Sequence, residues 1–303
     1  MLPLALATFF SAGFALWIRF AQKRGANLTA VGAVNYLTAA LFNAILAIAS
    51  GLRAPHGASL AIGIGGGLVY ATAFFLLHGL MKQRGVSVTA AISRLSMLVP
   101  IGVAVLAWGE TASVLQAVGI ALAVVSLPLL SFPPRGSREK QAGGNSRQIR
   151  RRSAALLAGL FVVNGLCLLA PRAFRQTGIQ GEDSIFLFVL FSAAALSACA
   201  VWLLQERGPG SRAARAASPR PAVPLLASVL PGIVVGLCNA LANRLIVAAL
   251  HELPGIVVYP FYSSVGLLIT VVFSRLVWKE RIGALETVGM AFALGSIVLV
   301  NLA

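Results

Sequence analysis

Residues 71–110 read ATAFFLLHGLMKQRGVSVTAAISRLSMLVPIGVAVLAWGE. Two apolar stretches flank the short turn Lys82-Gln83-Arg84-Gly85, and the second, Val86 to Ala107, closes on Trp108-Gly109-Glu110. A run of about twenty apolar residues, at about 1.5 Å per residue, matches the roughly 30 Å hydrocarbon core of a bilayer. The apolar residues come in unbroken blocks, so the pattern is that of membrane helices and not of the short alternating strands of a barrel.

Working outward, the same kind of block recurs. The spans predicted in the first half are Leu2 to Phe20, Ala30 to Ser50, Ser59 to Met81, Val86 to Ala107 and Val114 to Ser131. Those in the second are Ala154 to Pro171, Ser184 to Leu204, Pro224 to Leu250, Pro254 to Val277 and Ile282 to Leu302. The composition agrees: of 303 residues 58% are hydrophobic and only 11% charged, with a mean hydropathy of +0.89. Water-soluble domains carry about 25% charged residues, so soluble, disordered and collagenous classes are excluded. The expected fold is an all-α integral membrane protein of ten transmembrane helices. Two longer connections, Phe132 to Ser153 and Gln205 to Pro221, are basic or rich in Gly, Ser and Pro and read as solvated linkers.

The net charge of +16 would point to nucleic acid in a soluble protein, but here the basic residues separate apolar blocks and act as topology signals. Of 24 Lys and Arg, 19 fall after helices 1, 3, 5, 7 and 9, and only Arg53, Arg172 and Arg175 lie in the opposite connections. Basic loops are retained in the cytoplasm, which puts both termini outside. The first block has no basic residue before it, while Arg19, Lys23 and Arg24 follow it, so it reads as an uncleaved helix and not a signal peptide. Cys167, Cys199 and Cys238 lie within apolar blocks at spacings that fit neither a disulfide framework nor a metal site.

The chain also repeats itself. At a constant offset Gly66 falls on Gly236, Leu80 on Leu250, Gly85 on Gly255, Ser93 on Ser263, Trp108 on Trp278, Glu110 on Glu280 and Gly119 on Gly289. This relates helices 3 to 5 to helices 8 to 10, and a looser match relates helices 1 and 2 to helices 6 and 7. The organisation expected is a first repeat over 1–132, a basic linker over 133–153 and a second repeat over 154–303. Five helices is an odd number, so the second repeat enters the membrane from the other side. Inverted repeats of this kind are the architecture of alternating-access carriers.

Trp108-Gly109-Glu110 and Trp278-Lys279-Glu280, the helix glycines Gly119 and Gly289, Asn35-Tyr36, the Arg94, Ser96 and Pro100 set, Asn239 and Tyr259-Pro260 together resemble the drug/metabolite transporter superfamily, in particular its EamA-like ten-helix members. The resemblance spans nearly the whole chain. It implies a multipass carrier of the bacterial inner membrane that exports or exchanges amino acids, organic anions or similar metabolites. Its central cavity would be lined mainly by helices 1, 3, 4, 6, 8 and 9. The family's usual orientation has cytoplasmic termini, from which the charge distribution of this chain departs.

An ionisable side chain inside a membrane span costs about 2.5–3.5 kcal/mol on insertion scales and marks a functional position. Arg94 lies within helix 4, and none of the eight acidic residues lies deep in a span. Two readings stand for it: an anion-binding guanidinium facing a cavity, or a cap on the carbonyls of a broken helix. Arg244 is read as snorkelling to the outer surface. Asn239 and Asn243 lie one turn apart on one face of helix 8. With Asn35, Tyr36, Tyr70, Ser96, Tyr259, Tyr262 and Ser263 they complete the expected substrate-binding set, each as cavity lining or as glue between helices. Asn43 and Asn164 pose the same choice, and His78 is read as a packing residue or a proton shuttle. Gly63 and Gly67, and Gly232 and Gly236, are GxxxG pairs in equivalent helices and predict close backbone contacts.

Three functions fit these features: a carrier of a small metabolite, a flippase for a lipid-linked substrate, and an intramembrane enzyme. His251-Glu252 does not continue into HExxH, GxSxG is absent and no deep carboxylate pair exists, all of which argue against the enzyme. No catalytic residue, metal or cofactor is therefore expected. The expected partners are a small-molecule substrate and the lipid bilayer but no nucleic acid, and a homodimer is left open.

Overall fold

A computed structural model describes residues 2–51, 54–107, 113–131, 146–177, 179–207, 226–253, 255–279 and 284–301. Among them the chain forms α-helices and no strand: α1 (Leu2–Lys23), α2 (Leu28–Ala49), α3 (Gly57–Leu95), α4 (Leu98–Ala107), α5 (Val114–Ser131), α6 (Ser146–Gln176), α7 (Asp183–Arg207), α8 (Leu226–Glu252), α9 (Gly255–Trp278) and α10 (Ala284–Asn301). Among the described residues six segments are long and apolar enough to cross a membrane: Leu2–Lys23, Leu28–Ala49, Gly57–Met81, Ala154–Gln176, Asp183–Gln205 and Leu226–Glu252. Two shorter apolar helical runs cover Val88–Val103 and Phe261–Val277.

The burial pattern is that of a protein whose solvent is oil. On α2, Leu37, Leu41, Ile45 and Ile48 form an exposed stripe, while Asn35, Tyr36 and Asn43 are buried on the inner face. On α3, Leu60, Ile64 and Leu68 face outward in the same way. A water-soluble helix has the opposite polarity.

Local sequence sets the helix ends. The α1–α2 turn closes with the Ala26 N–H on the Ala21 carbonyl at 3.0 Å and the Gly25 N–H on the Gln22 carbonyl at 3.2 Å. This is the Schellman arrangement, and Gly25 supplies the left-handed residue it requires, at φ 75°. Asn27 then caps α2, accepting from the Thr29 and Ala30 N–H groups through its side chain.

Two expected boundaries are corrected. Residues 82–85 keep helical hydrogen bonding, so Gly57 to Leu95 forms one helical element, α3, bent back on itself. A methyl at Gly66 would lie 3.2 Å from the Ala170 side chain, and one at Gly165 would lie 3.0 Å from the Ser96 carbonyl. A straight helix would carry Ser96 about 45 Å beyond Gly66, whereas Gly165 and Ala170 are only about 7.5 Å apart along α6. α3 is thus a pair of arms folded against α6; the first is the expected third helix, and the expected fourth, Val86 to Ala107, is divided between the second arm and α4. The break in regular helix falls later, at Ser96-Met97. Pro100 lacks the N–H that would bond the Ser96 carbonyl, and the Val99 N–H takes that carbonyl at 3.1 Å instead. The second correction concerns α6, which begins at Ser146 within the expected linker and continues through Pro171 to Gln176.

The most extensive helix contacts are α2 with α7 and α8, α5 with α10, α1 with α8, and α3 with α6 and α7. Glycines mediate the closest of them. A side chain at Gly67 would run into the Leu190 carbonyl oxygen of α7, and one at Gly236 would lie 2.6 Å from the Asn35 carbonyl oxygen of α2.

Candidate functional site

Between these helices lies a cavity of about 160 Å³. Its walls come from α1, both arms of α3, α6, α8 and α9, with Tyr36 reaching in from α2. Much of the wall is apolar, including Phe14, Phe74, Leu77 and Cys167. Phe74 packs edge-on against Phe14 and Tyr36, with ring centroids at 6.4 and 5.9 Å.

Arg94 enters this wall from the second arm of α3 and is only 8% exposed. Its guanidinium lies against α9, with Cζ 4.7 Å from the centroid of the Tyr262 ring. It occupies a notch left by Gly266, where a methyl group would come within 2.6 Å of Cζ. Nη2 donates to Ser11 Oγ at 2.9 Å and Nη1 to the Tyr262 carbonyl at 3.4 Å. The Tyr262 hydroxyl donates to the same Ser11 oxygen at 2.6 Å. Arg94 thus joins α1, α3 and α9. Its partners are neutral, and no carboxylate among the described residues pairs with it. Ser263, one residue beyond Tyr262, is 1% exposed and its hydroxyl has no partner.

A chain of hydrogen bonds crosses the opposite wall. The Tyr70 hydroxyl donates to Asn243 Oδ1 at 2.5 Å, Asn243 Nδ2 to Asn239 Oδ1 at 2.9 Å, and Asn239 Nδ2 to Asn35 Oδ1 at 3.2 Å. Every amide oxygen in this chain therefore already accepts a bond. The Tyr36 hydroxyl donates to the Tyr70 carbonyl and the Tyr259 hydroxyl to the Leu168 carbonyl. Buried hydroxyls and amides in a membrane protein find such partners because lipid offers none.

Of the residues expected at the site, Tyr36, Tyr70, Arg94, Asn239, Asn243, Tyr259, Tyr262 and Ser263 line the cavity. Ser96 does not: it is buried at the helix break and returns its hydroxyl to the Ile92 carbonyl at 3.0 Å. Asn35 lies behind the lining, between α2 and α8, and its Nδ2 has no partner. Asn43 bonds within α2, Asn164 lines the cavity and donates to Ser93 Oγ at 2.9 Å, and His78 lies outside the lining. Arg244 donates to Ser184 Oγ at 2.9 Å, in the first turn of α7. Trp108, Glu110, Glu280 and Pro254 lie outside the described residues. Sequence reasoning missed Ser11, Phe14, Phe74 and Gly266. A serine, two phenylalanines and a glycine in apolar helices carry no signal of a site until their partners are known.

One end of the molecule is tied by three consecutive residues of the α6–α7 junction. Glu182, 4% exposed, accepts from Ser59 Oγ at 2.6 Å and from the His56 backbone N–H, and its Oε1 lies 2.5 Å from His56 Nδ1. Asp183 meets His251 of α8 at 2.8 Å, and Ser184 holds Arg244. Burial pushes the Glu182 carboxyl up, but the bonds from Ser59 and His56 and the neighbouring His56 charge outweigh it and hold the group below its ordinary range.

The fold and cavity define a polytopic helical protein with a buried cation in a central, mixed polar and apolar chamber. No family model matches the chain. An uncharacterized protein of Haemophilus influenzae is 25% identical over 311 residues, covering 97% of this chain and 95% of its own length. A solved crystal structure of a protein shares the fold at TM-score 0.66 with 15% identity, covering 99% of this chain and 96% of that one.

Proposed function

We propose that the chain is a membrane carrier that moves a small metabolite, anionic or zwitterionic, by alternating access between two inverted five-helix repeats, as an exporter or exchanger. The observation that carries this reading is Arg94: a cation 8% exposed, on the wall of a central cavity, with neutral partners only. A charge kept inside a membrane protein without a counter-ion marks a solute or ion pathway.

The packing supports the repeat. Exchanging α1–α5 with α6–α10 turns the α1–α8 contact into α6–α3 and the α2–α8 contact into α7–α3, and leaves α2–α7 and α5–α10 unchanged. The glycine pairs follow the same exchange, with Gly63 and Gly67 seated on α7 and Gly232 and Gly236 on α2. The cavity lies where the halves meet, as in carriers built from inverted repeats. The EamA-like resemblance and the loop charges lead us to place the protein in a bacterial inner membrane with both termini outside.

Counterflow in proteoliposomes tests the reading, with a panel of amino acids, organic acids and phosphorylated metabolites. Exchange of at least one solute by the native protein, abolished in a folded Arg94→Ala variant, is the expected result. A panel in which nothing moves, with transbilayer movement of a lipid-linked substrate instead, would replace the carrier by a flippase.

A further inference from the structure

We infer that the cavity selects monocarboxylates with a single ring or a similarly compact apolar body, and rejects amines and zwitterions. The inference rests on the carrier reading for its physiological role, but the ligand class follows from the chamber itself.

The cavity wall holds a surplus of donors. Arg94 uses two of the five N–H groups of a guanidinium, one of them in a long bond to the Tyr262 carbonyl. The Ser263 hydroxyl, buried in the same wall one residue from Tyr262, has no partner. A carboxylate accepts two or more hydrogen bonds through two oxygens and pairs with arginine in a planar fork. Its charge would also balance the buried guanidinium, which neutral Ser11 and Tyr262 do not.

Acceptors are scarce in the same wall. A zwitterion or amine brings an ammonium group that must be answered by oxygen atoms, preferably a carboxylate. Among the described residues no acidic side chain lines the chamber. The amide oxygens of Asn239 and Asn243 are already engaged by Asn243 and Tyr70, and that of Asn164, whose amide N–H donates to Ser93, is a single neutral acceptor. An ammonium would be desolvated beside Arg94 with like charge before it and no anion behind it, an arrangement that burial penalises steeply.

Size and shape point the same way. The chamber, about 160 Å³, is close to the ~150 Å³ cavity known to hold one benzene ring. On α1, Ser11 and Phe14 are one turn apart on one face. A carboxylate at Arg94 therefore has beside its body the Phe14–Phe74–Tyr36 cluster, whose rings already meet one another edge-on, a surface that suits an aromatic or compact apolar group. Gly266 is the positioning residue in this account. Only a residue without a side chain leaves room for the guanidinium to lie against α9.

Titration calorimetry on the purified full-length protein in detergent tests the class with three probes of matched body: benzoate, benzylamine and phenylalanine. Benzoate is expected to bind, with phenylalanine at least tenfold weaker and benzylamine silent. Arg94→Gln should weaken benzoate at least a hundredfold and Ser263→Ala several-fold. Gly266→Ala should weaken it tenfold or more with all charges retained, and Arg94→Lys should recover part of the loss seen in Arg94→Gln. Equal binding of phenylalanine or benzylamine overturns the inference, as does benzoate binding unchanged in a folded Arg94→Gln variant or no benzoate binding at all. The probe comparison uses only the native protein, so it decides even where a variant fails to fold. Counterflow separates the two readings: benzoate that binds but is not exchanged supports the ligand class and removes the carrier. Exchange of an amine or zwitterion in place of benzoate keeps the carrier and overturns the class.

Discussion

Two buried charges show how differently single residues are treated in this molecule. Glu182 is 4% exposed and is met by a hydroxyl, a backbone N–H and a histidine ring. Arg94 is 8% exposed and is given only two neutral acceptors. The first is the pattern of a structural tie, in which both carboxylate oxygens are engaged, and the second leaves capacity for something outside the chain. The tie makes a prediction about pH. A carboxyl held below its ordinary value in the folded state contributes stability that is present above the unfolded value, about 4.3 for glutamate, and is lost as the pH falls through the lowered one. The native protein should therefore show a melting temperature that drops as the pH is taken below about 4. Glu182→Gln should melt lower at pH 7 and lack most of that acid step. Identical pH profiles for the two would show that the contact contributes nothing. The sequence showed that Glu182 stands at a helix end, but not that His56 and Ser59, well over a hundred residues earlier, would enclose it.

Among the elements, the helices are held by backbone proximity more than by side-chain bulk. Lipid tails are as apolar as leucine, so helix association in a membrane relies on packing and on small residues that let main chains approach. α3 illustrates this within one turn. Gly67 faces the Leu190 carbonyl with Ala193 and Ala194 beside it, whereas a methyl at Gly65 meets nothing within 4 Å. Gly67→Ala should destabilise the protein by about 1–3 kcal/mol through overpacking. Gly65→Ala should be neutral or stabilising by up to about 1 kcal/mol, since alanine is the better helix former. Equilibrium unfolding in mixed detergent micelles measures both, and equal effects would mean that the close α3–α7 approach is not what holds these helices together. Here the sequence was informative, because GxxxG spacing announces a close contact. It left the partner unnamed, since a glycine carries no mark of which backbone it will meet. The reversal of α3 was legible from the basic residues at Lys82 and Arg84, but its helical character was not. Gly85 was read as loop chemistry, while the helix continues through it.

At the scale of the whole molecule, the cavity lies between the α1–α8 and α3–α6 contacts. The α6–α7 junction closes one end by reaching α3 through Glu182 and α8 through Asp183 and Ser184. Alternating access requires this end to part during a cycle. His56→Cys combined with Glu182→Cys, in a background with Cys167, Cys199 and Cys238 replaced by alanine, should lose counterflow on oxidation and regain it on reduction. Undiminished exchange by the oxidised protein would rule out opening at this end.

The helical class, the six long apolar spans and the GxxxG spacing were legible in the sequence alone, because a bilayer imposes requirements that are local: about twenty apolar residues per crossing and every backbone group bonded within its own helix. The site was not local. Arg94 finds Ser11 across 83 residues and the Tyr262 carbonyl across 168, and the Gly266 notch exists only when α9 lies against the second arm of α3. Sequence marked the arginine as costly and the asparagines as needing partners. Only the tertiary structure decided that the amide oxygens of Asn35, Asn239 and Asn243 would be taken up within the protein while the guanidinium and the Ser263 hydroxyl would keep donors to spare, because that division depends on which helix faces meet.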